Sequence, residues 1–215
     1  MTDIGAVFAV RAQSAWLGWP AELEGRLLVW IDENHAAVRA GDLSRTAQVA
    51  EDFTDIIHSA LAHRRSASAD STDTTGRLLA GTAQGRPLTD SDVVSVLRNW
   101  TGGDLGSIAL CAGVLIHELA RDARLKSQMR SGVTDPVLDG IIDELLRRDS
   151  PINGNRRTTT RPVDLDGVHI PAGARVKLHW TSAHRDESVF GAPDAFDPVA
   201  HAPDNLVYGI GKHAC

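Results

Sequence analysis

The most specific segment of this sequence reads Tyr208-Gly209-Ile210-Gly211-Lys212-His213-Ala214-Cys215. Two glycines alternate ahead of a histidine and a cysteine. Glycine admits a positive φ, so such a loop can turn its backbone N–H groups towards a sulfur atom. A thiolate that binds a metal needs such donors and shelter from water. The segment therefore indicates a thiolate site at Cys215, although a glycine-rich tail with an incidental cysteine explains the same residues.

An amphipathic helix is predicted upstream, from Pro136 to Arg148, and it carries Glu144 and Arg147 three residues apart. Side chains at this spacing share one helix face and can pair. Most such pairs are exposed and contribute little to stability, so the pair alone indicates no function. Alternating residues then predict short strands within 163–182, and the Pro, Gly and Asp content of 190–215 predicts mainly coil.

The longest helical pattern runs from Thr89 to about Arg121 and is apolar on most sides, which is typical of a central helix. Thr89 and Asp92 predict a capping box at its start. The segment 101–107 (TGGDLGS) places glycines in its middle, and each costs about 1 kcal/mol relative to alanine. Close helix packing would explain these glycines. A bulky group against a locally distorted backbone would explain them equally.

The residues before the long helix predict two further helices, at 22–39 and at 43–65, from the spacing of their apolar side chains. The polar segment 66–75 predicts a loop, because it has nothing to bury. A short helix is predicted at 76–83, followed by a turn. No internal repeat interrupts this order.

The composition narrows the class of protein. The chain has 215 residues, is 42% hydrophobic, and carries a net charge of -6. Without a basic surplus, neither nucleic acid nor an acidic membrane surface is an expected partner. No basic segment followed by an apolar stretch opens the chain, and no run of 18 apolar residues occurs, so a cytoplasmic protein is expected. Two cysteines give no disulfide framework and no zinc-binding spacing.

The order of these pieces resembles the cytochrome P450 family, of the bacterial soluble type, over nearly the whole chain. The segments Ala183-His184-Arg185-Asp186-Glu187 and Phe196-Asp197-Pro198 add to the resemblance. It implies a mainly α fold with a small β portion, and a partial P450 domain that lacks the family's N-terminal part and the helix after the cysteine. Within 1–215 it implies pocket-roof helices at 1–65, a loop and short helix at 66–88, the distal helix at 89–122, the Glu-x-x-Arg helix at 136–149, a β portion at 163–182, and coil with the Cys loop at 190–215.

The resemblance also implies roles for individual residues. Cys215 corresponds to the axial thiolate of a haem b iron, and Glu144 with Arg147 to a structural pair that performs no chemistry. Ser107 corresponds to the hydroxyl that handles protons during oxygen activation, with Asp104 as the nearest acid. The cofactor-binding residues implied are Tyr208, Gly209, Gly211, His213 and, as the partner of a haem propionate, Arg157.

Three positions depart from the family pattern. Gly106 stands where the family usually has the acid before the hydroxyl residue. Ala200 stands where an arginine usually completes the Glu144–Arg147 pair, so that pair lacks its partner unless His201 substitutes. His184 replaces an asparagine, and this change is expected to be neutral.

The implied function is hydroxylation of a small organic molecule with O2. The sequence has neither a flavin nor an iron–sulfur signature, so electrons are expected from another protein. The resemblance implies a donor of the ferredoxin and ferredoxin reductase type, or a flavin protein. The alternative is a truncated or split-gene remnant that binds little haem alone, for which a complementary chain fragment is a further expected partner.

Overall fold

The structure is a computed structural model that describes residues 2–66, 73–211 and 214–215. Contacts divide the chain into two compact units, Met1–Gly113 and Val114–Cys215. The sequence analysis treated the chain as a single domain, whereas the boundary between the units falls inside the longest helix. Helices dominate both units, and the described strands form three two-stranded sheets, so the prediction of a mainly α fold with a small β portion is confirmed.

The first unit consists of helices and one small hairpin. A 3-10 turn at Ala21–Leu23 precedes the second helix. The elements in chain order are α1 (Thr2–Leu17), α2 (Glu24–Ala40), α3 (Leu43–Ser66), α4 (Thr74–Leu79), β1 (Thr82–Ala83), β2 (Arg86–Pro87) and α5 (Asp90–Arg121), of which α5 continues into the second unit.

Two of these elements differ from the sequence prediction. Helix α1 was not predicted, because its apolar residues cover exposed as well as buried positions; Ile4 and Phe8, for example, are more than half exposed. The predicted loop at 66–75 falls largely on residues 67–72, outside the described residues. Its ends are helical, since α3 includes Ser66 and α4 begins at Thr74.

The core of the first unit lies where α2, α3 and α5 supply large apolar side chains. Trp30 of α2 stacks on Phe53 of α3 with ring centroids 4.1 Å apart. The Trp30 indole N–H donates to the carbonyl oxygen of Val49 over 2.8 Å, which satisfies its polar atom inside the core. Leu97 and Leu105 of α5 are fully buried in the same cluster. These contacts fix the middle of α5 against the two helices before it.

Helix α5 begins with the predicted capping box, which is confirmed. The Thr89 N–H donates to Asp92 Oδ2 over 2.8 Å, and the Asp92 N–H donates to Thr89 Oγ1 over 3.3 Å. The helix then runs without interruption for 32 residues, or about 48 Å at the usual rise. The local distortion that one interpretation of its glycines required is not observed in the described helix.

The glycines of α5 have different surroundings. A Cβ atom on Gly102 would lie 3.4 Å from Phe53 Cε1, which is an ordinary packing contact. A Cβ atom on Gly103 would meet no described atom within 4 Å. Close helix packing therefore requires a glycine at neither Gly102 nor Gly103. The closest helix contact made by a glycine is instead that of Gly5 in α1, where a Cβ atom would lie 2.6 Å from the backbone oxygen of Ala109.

Two alanine substitutions test this packing. Gly5→Ala is expected to lower the free energy of unfolding by about 1–3 kcal/mol, because the α1 backbone would have to move away from α5. Gly103→Ala is expected to raise it by about 0.5–1 kcal/mol, because alanine loses less conformational entropy in a helix and has room here. Urea unfolding followed by circular dichroism measures both. If both variants changed the free energy of unfolding in the same direction, the close contact between Gly5 and the Ala109 backbone would be contradicted.

Helix α5 is also the one described helix that is long and apolar enough to cross a membrane, with a mean hydropathy of 1.3 over 18 residues. The central helix of a soluble protein meets the same criteria. Several of its apolar side chains are exposed in this chain, among them Leu110 at 54% and Ile116 at 40%. The absence of a membrane partner therefore stays a prediction.

The second unit combines short helices with two hairpin-like strand pairs. Its elements are α6 (Ala123–Arg130), α7 (Asp135–Arg148), β3 (Asn155–Thr158), β4 (Val163–Leu165), β5 (Val168–Ile170), β6 (Arg175–Leu178), α8 (Trp180–Ala183) and α9 (Glu187–Phe190), with a 3-10 turn at Ala202–Asp204. The side chains of Leu125, Ile141 and Leu145 form the small apolar core between α6 and α7.

The strand pairing corrects the predicted β portion at 163–182. Strand β6 pairs antiparallel with β3, which lies before the predicted region, while β4 pairs with β5. Residues 180–183 are helical, since the strand ends at Leu178. Alternation identified β4, β5 and β6 but could not identify their partners. Strand β3 reads Asn-Arg-Arg-Thr and is exposed along its length, so it has no apolar face to reveal it.

Candidate functional site

The Glu144–Arg147 pair of α7 lies inside the second unit. Arg147 Nε donates to Glu144 Oε2 over 2.7 Å, and Arg147 Nη2 donates to Glu144 Oε1 over 3.0 Å. The side chains are 0% and 1% exposed. The pair is therefore bidentate and fully buried, unlike the exposed pairs that this spacing usually produces. A buried guanidinium needs further acceptors for its remaining N–H groups.

Backbone carbonyls from distant segments supply these acceptors. Arg147 Nη1 donates to the oxygen of His184 over 2.6 Å, and Nη2 also donates to the oxygen of Pro193 over 2.7 Å. These residues follow Arg147 by 37 and 46 positions. One side chain thus joins α7 to the end of α8 and to the coil after α9.

His201 takes the position left open by Ala200. Its Nδ1 lies 2.7 Å from Glu144 Oε1, and the Asp197 N–H donates to the same oxygen over 3.0 Å. Burial raises the pKa of Glu144, but the hydrogen bonds from Arg147, His201 and Asp197 together bring it below its usual value. Glu144 is thus held as a carboxylate, and His201 makes the contact to this pair that the sequence analysis left open.

Phe190 lies at the centre of these side chains, and the sequence analysis assigned it no role. Its ring is 8% exposed. The Arg147 guanidinium carbon lies 4.8 Å from the ring centroid. The rings of His184 and His201 meet it edge-on, with centroids 6.4 and 5.5 Å away. We call Glu144, Arg147, His184, Phe190 and His201 the Arg147 cluster. These five residues come from segments that are far apart in the sequence, so the cluster is recognised only in the folded structure.

The coil that leaves the Arg147 cluster is tied at three points before it reaches the cysteine, twice to α7 and once to His184. Asn205 Nδ2 donates to the Asp143 oxygen over 3.1 Å, and the Tyr208 hydroxyl donates to Asp143 Oδ1 over 2.7 Å. Between them, the Leu206 N–H donates to His184 Nε2 over 3.1 Å. The segment therefore enters the loop at a defined position.

The Cys215 loop, residues 208–215, closes on itself. Gly209 and Gly211 have φ values of 76° and 69°, which favour glycine. The Cys215 N–H donates to the Tyr208 oxygen over 2.7 Å, and the Ala214 N–H donates to the Gly211 oxygen over 3.0 Å. Cys215 is exposed and forms no disulfide within the described residues. The glycines thus act in the turn, as the sequence predicts for them.

His213 and Arg157 are the two remaining residues that the sequence analysis assigned to the cofactor. His213 lies outside the described residues, together with Lys212. Arg157 lies on β3, opposite Val176 of β6, and its side chain is exposed. Its Nη1 donates to the backbone oxygen of Arg156 over 2.9 Å. That contact is local and leaves other N–H groups of the guanidinium available for an anionic ligand.

Ser107 and Asp104 lie on the part of α5 that belongs to the first unit. The Ser107 hydroxyl lies 3.3 Å from both the Gly103 and the Asp104 backbone oxygens, longer than the usual ~2.8 Å. The helix is continuous here, so Asp104 does not gain the altered direction that a distorted helix would give it. A Cβ atom built on Gly106 would lie 3.8 Å from Nε2 of His35, which belongs to α2. His35 is a titratable residue that the sequence analysis missed.

Comparison with known proteins agrees with this geometry. The family model described as Cytochrome P450 matches residues 116–215, which contain the Arg147 cluster and the Cys215 loop.

Residues 116–215 of the chain belong to the cytochrome P450 family.

Relatives in this family come from bacteria. Cyclomarin C epoxidase CymV of Salinispora arenicola is 30% identical over 80% of the chain. Cytochrome P450 130 of Mycobacterium tuberculosis is 40% identical over 54% of it. Steroid C26-monooxygenase of the same species is 27% identical over 99%. The chain spans 42%, 28% and 57% of these three P450s, so it corresponds to about half of a family member at most.

Solved P450 structures share the fold. The open form of cytochrome P450 EryK from S. erythraea aligns with the whole chain at a TM-score of 0.79 and 24% identity. Retinoic acid bound cyanobacterial CYP120A1 aligns with the whole chain at 0.80 and 15% identity. The chain covers 56% and 57% of these two structures. The partial P450 fold predicted from the sequence is confirmed.

P450s hold a haem iron, and the side chains of the second unit fit that group. A haem needs one axial protein ligand, and thiolate is the ligand in this family. Cys215 offers an exposed sulfur at the end of a closed loop. Arg157 offers an exposed guanidinium, which suits the carboxylate of a propionate. Among the described side chains, no group of three His, Cys, Asp or Glu residues could hold a free metal ion instead.

Proposed function

We propose that this protein supplies the haem-thiolate portion of a monooxygenase that hydroxylates a small organic substrate with O2. The closed Cys215 loop carries the proposal, because its Cys215 N–H bonds back to Tyr208 and its sulfur remains exposed. A loop of this kind, tied to a buried charged cluster, keeps a ligand atom in one place. Membership of the P450 family supplies the reaction class.

Each residue of the second unit has a separate role in this proposal. Cys215 would be the axial ligand of haem b, Arg157 and His213 would bind propionates, and the glycines would shape the loop. Glu144 and Arg147 hold the coil before the loop and touch no reacting atom. Bound haem would supply the activation of O2. The protein's own contribution here is to hold the sulfur and to keep the loop closed.

Ser107 is the proposed proton-handling residue of α5. Its hydroxyl forms long contacts to its own helix, so it can exchange them for a water or a substrate group. Gly106 provides no acid beside it. A Cβ atom on Gly106 would lie 3.8 Å from His35 Nε2, and Asp104 lies two residues earlier on the same helix, so these are the two titratable side chains that we assign to this position.

Electrons would come from a separate protein of the ferredoxin and ferredoxin reductase type, and the protein would act in the cytoplasm. Bacterial relatives named as monooxygenases support the reaction class, which requires such a source of electrons. Because the chain spans about half of these relatives, a complementary polypeptide that supplies the remaining P450 elements is a further proposed partner. The exposed apolar side chains of α5 are compatible with such a partner.

The carbon monoxide spectrum of the reduced protein tests the proposal. The chain is expressed with haem supplied, reduced, and treated with carbon monoxide. We expect a red-shifted Soret band, as thiolate-ligated haem gives, and its complete loss in Cys215→Ala. Cys111→Ala is the matched control, because it removes the other cysteine, which lies on α5 and is not the proposed ligand, and it should leave the band unchanged.

Folded protein that takes up no haem would instead favour a P450 remnant without activity of its own. Adding the remaining P450 elements as a second chain then separates two cases. Recovery of the band would identify the chain as one part of a split P450. Failure of that mixture as well would exclude the proposed function.

A further inference from the structure

We infer that His184 positions the coil that enters the Cys215 loop, and that only its neutral form, protonated on Nδ1, does so. The sequence analysis expected the replacement of the family's asparagine by His184 to have no effect. The structure instead places it between Arg147 and Leu206, at the point where the Arg147 cluster meets the coil. The consequence for haem rests on the proposed function, whereas the positioning of the coil does not.

The His184 ring has a fixed orientation. The residue is 0% exposed and follows α8, where its N–H donates to the Trp180 oxygen over 2.9 Å. Its own carbonyl oxygen accepts the 2.6 Å bond from Arg147 Nη1. The ring packs edge-on against Phe190. Hydrogen bonds thus hold the backbone of His184, and Phe190 holds its ring. In this orientation Nε2 lies 3.1 Å from the Leu206 nitrogen.

This hydrogen bond determines the tautomer. A backbone N–H can only donate, so Nε2 must be the unprotonated acceptor and the proton of the neutral ring lies on Nδ1. Nδ1 is buried without a hydrogen-bond partner in the part of the chain that the structure describes. An added proton on Nε2 would place two donors against each other. The bond to Leu206 is therefore available only while the ring is neutral.

The charges around the ring favour that neutral form. Burial lowers the pKa of His184, and the positive charge of Arg147 lowers it further, while the carboxylate of Glu144 opposes both. The remaining titratable member of the Arg147 cluster is His201, which packs against Phe190 and contacts Glu144. Since Arg147 is always charged, the repulsion it exerts on a protonated His184 persists at every relevant pH.

The sign of the pH effect follows from linkage. An unfolded histidine takes up its proton near pH 6.5, whereas folded His184 resists protonation to a lower pH. The stability contributed by the neutral ring is therefore complete above about pH 6.5 and is lost as the pH falls below that value. Once folded His184 does protonate, the Leu206 N–H loses its acceptor.

A released Leu206 would affect the loop through a short series of hydrogen bonds. The Leu206 oxygen accepts from the Gly209 N–H over 2.9 Å, and the Tyr208 oxygen accepts from the Cys215 N–H over 2.7 Å. Asn205 and Tyr208 remain tied to Asp143. The expected change is thus a local loosening between two anchors, and not a loss of the second unit.

Nuclear magnetic resonance on the whole chain, without added haem, tests this inference. The ring nitrogen shifts of His184 report the tautomer, and the exchange protection of the Leu206 amide reports the hydrogen bond, both measured between pH 8 and pH 5. We expect the Nδ1–H tautomer at pH 8 and a fall in Leu206 protection of about tenfold across the His184 titration, centred on its midpoint. An Nε2–H tautomer, or constant protection through that midpoint, would overturn the inference.

Two variants separate the histidines. His184→Gln offers an acceptor that does not titrate, so the step in Leu206 protection should disappear. His201→Gln should keep the step, because it leaves His184 and Leu206 unchanged; loss of the step in this variant would overturn the assignment to His184. If His184→Gln does not fold, the titration of the unchanged chain still decides the question.

The result is independent of haem uptake. A Leu206 step that follows His184 in protein that never gives a thiolate-type spectrum would support the inference and reject the proposed function. A thiolate-type spectrum without a Leu206 step would support the proposed function and reject the inference about His184. When both are present, the red-shifted band should weaken below the same midpoint in the unchanged chain and persist in His184→Gln.

Discussion

Replacing Arg147 with methionine is expected to lower the free energy of unfolding of the second unit by about 3–5 kcal/mol. The substitution leaves the Glu144 carboxylate buried without its bidentate partner. It also removes the donors for the His184 and Pro193 oxygens. Methionine fills much of the same volume, so the loss reflects the missing charge and hydrogen bonds and not a cavity. Urea unfolding, followed by circular dichroism, measures it.

Arg130→Met is the matched control. Arg130 ends α6 and is exposed, so its replacement should change stability by less than about 0.5 kcal/mol. The double variant Glu144→Gln with Arg147→Met should be less damaging than Arg147→Met alone, because it leaves no uncompensated carboxylate. A small loss in Arg147→Met, close to that of the control, would show that the pair is not buried as described.

Phe190→Ala is expected to cost about 3–5 kcal/mol, the usual range for a buried aromatic side chain. The ring lies under the Arg147 guanidinium and contacts the rings of His184 and His201. Its removal leaves a cavity in the middle of the Arg147 cluster and exposes the pair to water. The same unfolding experiment gives the size of the effect. In haem-loaded protein, the thiolate spectrum should broaden or weaken in parallel.

Phe196→Ala provides the comparison for this effect. Phe196 is 37% exposed, and the Arg148 guanidinium lies 5.9 Å from its ring centroid. Its loss should cost clearly less than that of Phe190, since less apolar surface returns to water. Equal losses at the two positions would mean that Phe190 does not organise the cluster.

The sequence predicted the parts of this site that depend on local pattern. The α7 periodicity placed Glu144 and Arg147 on one face, and the glycines of the Cys215 loop indicated a turn with positive φ. The capping box of α5 was readable for the same reason, since its two partners are three residues apart. In each case the interacting groups are near neighbours in the chain.

The parts that the sequence could not predict depend on contacts between distant residues. Phe190 and His184 meet Arg147 only after the chain has folded back by about forty residues. Strand β3 has no apolar face, and only its pairing with β6 makes it a strand. The burial of the Glu144–Arg147 pair was equally hidden, because an exposed pair has the same spacing.

The long reach of Arg147 has a consequence for how the protein folds. Its bonds to His184 and Pro193 close loops of 37 and 46 residues, and the contact between Glu144 and His201 closes one of 57. Such closures lose chain entropy before their contacts form, so they belong to the late, slow steps of folding. Substitutions in this cluster should therefore accelerate unfolding more than they slow refolding. The cysteine segment would be the last part of the second unit to dock during each folding event, and the first to detach.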